Sequence, residues 1–215
     1  MSDHQSPHLE WRDGTPIATR FDDPYFSLDN GVAETAHVFL AGNDLPARFV
    51  DGFHVCELGF GTGLNLLVTL HAWRQAKCIG RLHFTTFEAF PMTPADMRQA
   101  QAAFPELQDV ASELSDHWGK QQFDTHDLAF RMIPGDARDT LPHWTGLADA
   151  WYLDGFSPTK NPELWGDALL TQVGAHTRLG GTFATYTAAG SVRRGLENAG
   201  FSVTRTTGFG RKRHM

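Results

Sequence analysis

Residues 53–70 read FHVCELGFGTGLNLLVTL, and no other segment limits the possible folds so sharply. Apolar and β-favouring residues (Phe53, Val55, Cys56, Leu58) run directly into glycines at alternate positions (Gly59, Gly61, Gly63). Leu64, Leu67, Val68 and Trp73 then recur at helical spacing. The pattern predicts a strand, a tight turn and a helix that begins near Thr62 or Gly63. Glycine removes the Cβ atoms that block close approach and permits positive φ, so a ligand can lie against bare main chain. The first helical turn adds unpaired N–H donors and the positive end of its dipole, which favour a carboxylate or phosphate.

The spacing discriminates between ligands. A dinucleotide turn wants Gly-x-Gly-x-x-Gly, and counting from Gly59 the third glycine falls at Leu64, so that match fails. What stands instead is Glu57-x-Gly59-x-Gly61-x-Gly63, an acid at a strand end followed by glycines at every second place. This suits S-adenosylmethionine better than NAD: the acid can pair with the ligand's ammonium while the turn amides face its carboxylate. The competing reading is a glycine-rich turn with no ligand.

A chain of 215 residues, 41% hydrophobic and 20% charged, is expected to form one core of ordinary globular kind. No apolar run approaches the ~20 residues of a membrane span. The start, MSDHQSPHLEW, carries neither a basic nor an apolar signal region, so a cytoplasmic protein without membrane contact is expected. Cys56 and Cys78 lie far apart and outside any zinc-like spacing, so both are expected reduced and buried, and no metal is expected. The net charge of −7 argues mildly against bulk nucleic-acid affinity. From Ser191 onward, however, Arg193, Arg194, Arg205, Arg211, Lys212, Arg213 and His214 face a single acid, Glu197. That end is either a basic face on an acidic body or a solvated helix and tail.

Along the chain, residues 1–11 read as a weakly tied start. Asp13-Gly14 predicts a β-hairpin between residues 10–12 and 17–21, followed by the loop Asp22-Asp23-Pro24-Tyr25-Phe26 and an amphipathic helix over 31–40 closed by Gly42-Asn43. This leader, residues 1–45, either covers a ligand cleft or packs its aromatics on the core domain, residues 46–215. A second strand over 82–87 ends in Glu88, placed where an α/β nucleotide site binds a ribose diol. Thr93-Pro94 opens a helix to about residue 104, and another spans 106–118. Strands follow at 128–133 and 148–153, ending beside Asp136 and Asp154. Asn161-Pro162 starts a helix expected to reach residue 179, Gly180-Gly181 leads to a strand over 182–187, a short helix covers 191–199, and 201–206 with 208–215 read as further strands. Repeated βα units predict a doubly wound, mostly parallel α/β sheet.

Ligands of such sheets bind beyond the carboxyl ends of the strands, so Glu57, Glu88, Asp136 and Asp154 should line one crevice with the glycine turn. Asp136 either accepts from an adenine amino group or only shapes its turn. No Gly-x-Ser-x-Gly elbow, Walker loop or His-Glu-x-x-His occurs, which removes support for hydrolase, phosphotransfer and metalloprotease chemistry. In Asp154-Gly155-Phe156-Ser157-Pro158, Asp154 can hold an amine with its lone pair toward a methyl donor, and Phe156 can offer an aromatic face to a flat base or a sulfonium. The alternative is a tight turn ordered by Pro158.

Glu57-Leu58-Gly59-Phe60-Gly61-Thr62-Gly63-Leu64-Asn65, Asp154 to Pro158 with Asn161-Pro162 and Trp165, and the closing Gly208-Phe209-Gly210-Arg211-Lys212-Arg213 together resemble the methyltransferase domain of the MnmC family. The leader residues Asp22 to Ser27 and Glu34-Thr35 match as well, so the resemblance runs from about residue 9 to 213. Leu164 stands where the family pattern has methionine, a conservative apolar change. The resemblance implies a class I S-adenosylmethionine-dependent fold, Rossmann-like, that methylates the aminomethyl group of a wobble uridine in tRNA. It also implies, in bifunctional members, a flavin-dependent oxidoreductase domain. This chain shows no second glycine-rich nucleotide motif, so that domain is expected to be absent from it, leaving a stand-alone methyltransferase or an excised domain.

The expected cofactor contacts are Glu57, Gly59, Phe60, Gly61, Thr62, Gly63, Asn65, Glu88, Asp136, Ala137 and Asp154, with Asp154 and Phe156 at the acceptor. The expected substrate contacts are Tyr25, Phe156, Pro158, Arg193, Arg194, Arg211, Lys212 and Arg213, with tRNA as partner. A competing enzyme would methylate a small-molecule or protein amine, and a third reading is a binding module that keeps the fold without turnover.

Overall fold

The computed structural model describes residues 7–27 and 30–215. The expectation for the first six residues lies outside that range, but the leader does not start loosely: β1 (Leu9–Arg12) already pairs with β2 (Thr15–Ala18). Asp13 and Gly14 both take positive φ, 48° and 80°, as the two-residue hairpin requires. β3 (Asp23–Pro24) adds a third antiparallel strand.

The chain from Gly31 to Asn43 is continuously helical, with α1 (Gly31–Thr35) passing into a π-turn and a 3₁₀ turn. The Asn30 side chain caps α1 by accepting from the Ala33 amide.

The central sheet forms as the βα rhythm predicts. β4 (His54–Leu58), β5 (Leu82–Glu88), β7 (Leu128–Pro134), β8 (Ala148–Leu153) and β9 (Thr177–Ala184) run parallel, and β6 (Gln122–Asp124) adds an antiparallel edge, in the order β6-β7-β5-β4-β8-β9. Strand order reverses direction at β4, which places the switch point at the glycine turn. Alternate residues feed two cores. Val55, Ala150 and Tyr152 face α2 (Leu64–Gln75) and α4 (Gln108–Leu114), while Cys56, Leu58, Trp151 and Leu153 face α6 (Asp167–Ala175) and α7 (Gly190–Asn198). Val38, Phe39, Leu40 and Leu45 of the leader belong to the first of these cores.

Several elements differ from expectation. The helix after Asn161 is a 3₁₀ turn (Pro162–Trp165), and no hydrogen bond from the Asn161 side chain caps it; α6 follows beyond Gly166. α6 ends at Ala175, because His176 is tied to the carbonyls of Gln172 and Trp144, and Thr177 enters β9. The helix capped by Thr93, α3 (Pro94–Gln101), is shorter than expected, and the one expected over 106–118 keeps only α4 flanked by 3₁₀ turns. Residues 201–206 keep the alternation of a strand, Phe201 and Val203 packing inward, yet make no ladder. Thr206 and Thr207 pair back with Met215 and His214 in a small C-terminal hairpin. Cys56 is buried, but Cys78 is only half-buried. No helix among the described residues is long and apolar enough to cross a membrane.

Candidate active site

The carboxyl ends of β4, β5, β7 and β8 open into a cavity of about 820 Å³. Its floor is the glycine turn and its walls are Glu88, the segment from Asp136 to Arg138, and the Asp154 to Ser157 loop. The leader, Tyr186 and the C-terminal hairpin cover it. At Gly59, with φ of 89°, a Cβ would meet the Asp154 carbonyl oxygen at 2.5 Å; at Gly61, with φ of 51°, a Cβ would meet the Tyr25 ring at 2.9 Å. Both positions therefore need glycine for conformation and for space.

Glu88 accepts from the amides of Phe60 (2.8 Å), Gly61 (3.0 Å) and Phe90 (2.8 Å). The turn amides of Phe60 and Gly61 thus serve Glu88, which corrects the expectation that they face the ligand. A carboxylate has about four acceptor positions, so Glu88, which lines the cavity, still has room for a hydroxyl.

Glu57 is fully buried and does not line the cavity. It sits beneath Asn65, whose Nδ2 donates to Glu57 Oε1 at 2.8 Å and to Asp154 Oδ2 at 2.6 Å. Glu57 Oε2 is left without a partner among the described residues. Burial pushes the Glu57 carboxyl well above the usual range, opposed by the Asn65 hydrogen bond and reinforced by Asp154. The direct pairing of Glu57 with a ligand ammonium is therefore corrected: Asn65 and Asp154, not Glu57, line the cavity there.

Asp154 is pushed up to about 7, first by burial; Asn65 pulls it down, Glu34 raises it further and Lys212 lowers it. Asp136 caps α5 (Ala137–Thr140) and grips Arg138, with Nη2 to Oδ2 at 2.6 Å, which holds its carboxyl below its ordinary value. Ala137 lines the cavity beside it.

The Asp154 loop is held from three sides. Tyr186 donates to the Gly155 carbonyl at 2.8 Å, Trp165 Nε1 donates to the Phe156 carbonyl at 2.8 Å, and the Ser157 amide donates to Asp23 of the leader at 3.1 Å. Leu164 packs against Gly155, where a Cβ would collide with it. Phe156 stacks on Phe21 with centroids 4.6 Å apart and meets Tyr25 edge-on at 5.1 Å.

Among the expected substrate residues, Tyr25, Phe156, Arg211 and Lys212 line the cavity, whereas Pro158, Arg193, Arg194 and Arg213 do not. Arg193 lies 3.8 Å from Glu197 along α7. Gly63, at φ of 76°, N-caps α2 but does not line the cavity either. Sequence reading missed Arg20, Phe21, Glu34, Thr35 and Tyr186, all cavity-lining. The cluster of aromatics in the leader was the available signal for Phe21, and the family resemblance at Glu34-Thr35 was the signal for those two; nothing in the local pattern marked Arg20 or Tyr186.

S-adenosylmethionine fits these residues. The cavity has the volume of a cofactor site, glycines clear the floor, Glu88 can accept from a ribose hydroxyl, and carboxylate and aromatic faces suit a cation.

A family model described as S-adenosyl-L-methionine-dependent methyltransferase matches residues 100–215. The chain is 46% identical to the tRNA 5-methylaminomethyl-2-thiouridine biosynthesis bifunctional protein MnmC of Caulobacter sp. (strain K31), over 99% of this chain and 38% of that protein. The protein of the same name from Aeromonas hydrophila subsp. hydrophila is 46% identical over 96% of this chain and 34% of its own length. The chain thus spans little more than a third of these relatives. The solved structure of MNMC2 from Aquifex aeolicus superposes with a TM-score of 0.76 at 26% identity, covering 99% of this chain and 70% of that one. With the family model matched over more than half its length and its glycine turn at the switch point of a doubly wound sheet, the chain belongs to the S-adenosyl-L-methionine-dependent methyltransferases.

Proposed function

We propose that this chain methylates the aminomethyl nitrogen of 5-aminomethyl-(2-thio)uridine at the wobble position of tRNA. The observation that carries the reading is Asp154, a half-buried carboxylate on the wall of the cofactor cavity, beside the aromatic face of Phe156. The names of the long MnmC relatives support the choice of substrate.

When bound, S-adenosylmethionine supplies an electrophilic methyl on a sulfonium sulfur. An aminomethyl group is mostly protonated at neutral pH and has no lone pair to attack with until a proton leaves. Asp154, poised near 7, accepts that proton and holds the amine, which suits a general base working at neutral pH. Asn65 keeps a donor on Asp154 Oδ2, which leaves Oδ1 as the oxygen more open to the amine. Phe156 and Tyr25 give flat faces for the uracil ring, and the covering leader keeps water from competing for Asp154. Arg211 and Lys212 at the rim supply cations for the phosphates of the RNA. Glu88 holds the ribose of the cofactor, and the leader up to residue 45 acts as a cover on the catalytic domain that follows. An oxidoreductase working on the same nucleoside, as a linked domain or a separate protein, would provide the amine.

Labelled S-adenosylmethionine offered with hypomodified tRNA tests the reading. Label in the wobble nucleoside, identified by mass spectrometry, supports it; label confined to a small-molecule or protein amine sinks it.

A further inference from the structure

Asn65 sits at the second position of α2, 5% exposed, with its carboxamide wedged among three side chains. Nδ2 donates to Glu57 and Asp154, and Oδ1 accepts from the Thr35 hydroxyl of α1 at 3.0 Å. The two ends of a carboxamide are nearly equal in shape and opposite in hydrogen-bonding sense, so neighbours decide which way it points. Two ionised carboxylates would settle the matter alone. Burial opposes ionisation of Glu57, and to the extent that it holds a proton its carboxyl can donate as well as accept, so the pressure on Asn65 weakens. Thr35 adds to the bias, because its hydroxyl donates to Oδ1 and gives that buried carbonyl oxygen a partner in this orientation.

We propose that Thr35 is a positioning residue: by donating to Asn65 Oδ1 from the leader helix, it keeps Nδ2 on Asp154 and so keeps that carboxylate available as the proton acceptor. A flipped carboxamide would set a carbonyl oxygen against Asp154 Oδ2, which favours the protonated acid and removes the base. The other groups facing Asp154 are Glu57 of β4, Glu34 of α1, Lys212 of the C-terminal hairpin and Tyr186 beyond β9. Glu34 and Lys212 are paired to each other at 3.1 Å, so their opposing influences stay together when Thr35 is changed. The leader thereby governs the reactive acid as well as covering it. The inference rests on Asp154 acting as base, but the side-chain amide of Asn65 reports it without any substrate.

Thr35→Val deletes the hydroxyl and keeps the branched shape; Thr35→Ser keeps the hydroxyl. The pH dependence of turnover on hypomodified tRNA and the pH titration of the Asn65 side-chain amide resonances by NMR are measured in all three proteins. In Thr35→Val both midpoints should rise by about one unit, which lowers turnover about fivefold at pH 7. Thr35→Ser should restore both midpoints. Unmoved midpoints in Thr35→Val, or an equal shift in Thr35→Ser, overturn the proposal even if the variants melt earlier. If the wild type leaves tRNA unlabelled, the function assigned above fails, and the amide titration still decides the role of Thr35.

Discussion

At Asp154 the burial that suits the carboxylate to take a proton also weakens the fold above neutral pH. An unfolded aspartate titrates near 3.9, roughly the ordinary value, and this one at about 7, so the folded state holds its proton more tightly. The penalty for folding with Asp154 is absent below about pH 4, grows as pH rises through that window, and is complete above about pH 7. If Asp154 is the base, turnover should run the other way, rising through about pH 7 as it ionises. Asp154→Asn should therefore lower turnover by about two to four orders of magnitude. Its affinity for S-adenosylmethionine should change far less, and its melting temperature at pH 8 should rise. Calorimetric titration and melting scans at pH 4 and pH 8 check both arms; a variant that melts earlier at pH 8 contradicts the burial argument. Gly61→Val acts by another route. It adds a Cβ 2.9 Å from the Tyr25 ring at a backbone angle that β-branched residues avoid. Cofactor binding should be lost, and unchanged affinity in that variant would remove the turn from the site.

Elements whose residues carry their own structural preference were readable from the chain, and those set by distant partners were not. Strand β4 and the glycine turn combine β-forming residues with positions only glycine fills, and Thr93 with Pro94 marks the start of α3 by local chemistry alone. The three-residue β6 buries only Phe123, which leaves almost no pattern to detect, and it exists because β7 offers a free edge. Residues 201–206 alternate as a strand should, but ladder bonds depend on a neighbour that local pattern does not name. In the site, Glu57, Glu88 and Asp154 were legible as strand-end acids, while their division of labour was not. Which acid lies under Asn65 and which takes the turn amides depends on contacts across 8 to 89 residues of sequence. Arg48 shows how such distant contacts join elements. It lies just before β4 and donates to the carbonyls of Asn43, Asp149 and Gly180 and to the Thr182 hydroxyl, stitching leader, β8 and β9 together. Arg48→Ala takes a donor from the buried carbonyl of Asn43 and the half-buried one of Asp149. It should lower unfolding free energy by about 2 kcal/mol with cofactor affinity unchanged, since Arg48 is remote from the cavity. Urea unfolding measures the first and calorimetric titration the second; a loss of affinity equal to the loss of stability would mean that these edges also shape the site.

Across the whole molecule a net charge of −7 opposes a polyanion, so the proposed tRNA substrate would have to be bound where the cations sit. Arg20 stands over the Phe90 ring at 4.8 Å and lines the cavity, as do Arg211 and Lys212. Lys212 is already held by Glu34 and lies 4.4 Å from the Tyr186 ring centroid, which leaves Arg211 freer to meet a phosphate. Arg194 is exposed on α7 and does not line the cavity. Each phosphate contact contributes about 0.7 to 0.9 to the slope of log affinity against log salt. Arg211→Gln should therefore flatten that slope by about 0.7 to 0.9 and raise the KM for tRNA several-fold with kcat nearly unchanged, because phosphate contacts position the RNA without touching the transferred methyl. Arg194→Gln should alter the slope much less if the RNA approaches over the cavity mouth. Binding measured from 50 to 200 mM salt separates these outcomes. A larger effect at Arg194 than at Arg211 would move the RNA onto α7, and equal small effects at both would leave recognition to the aromatic wall around the base.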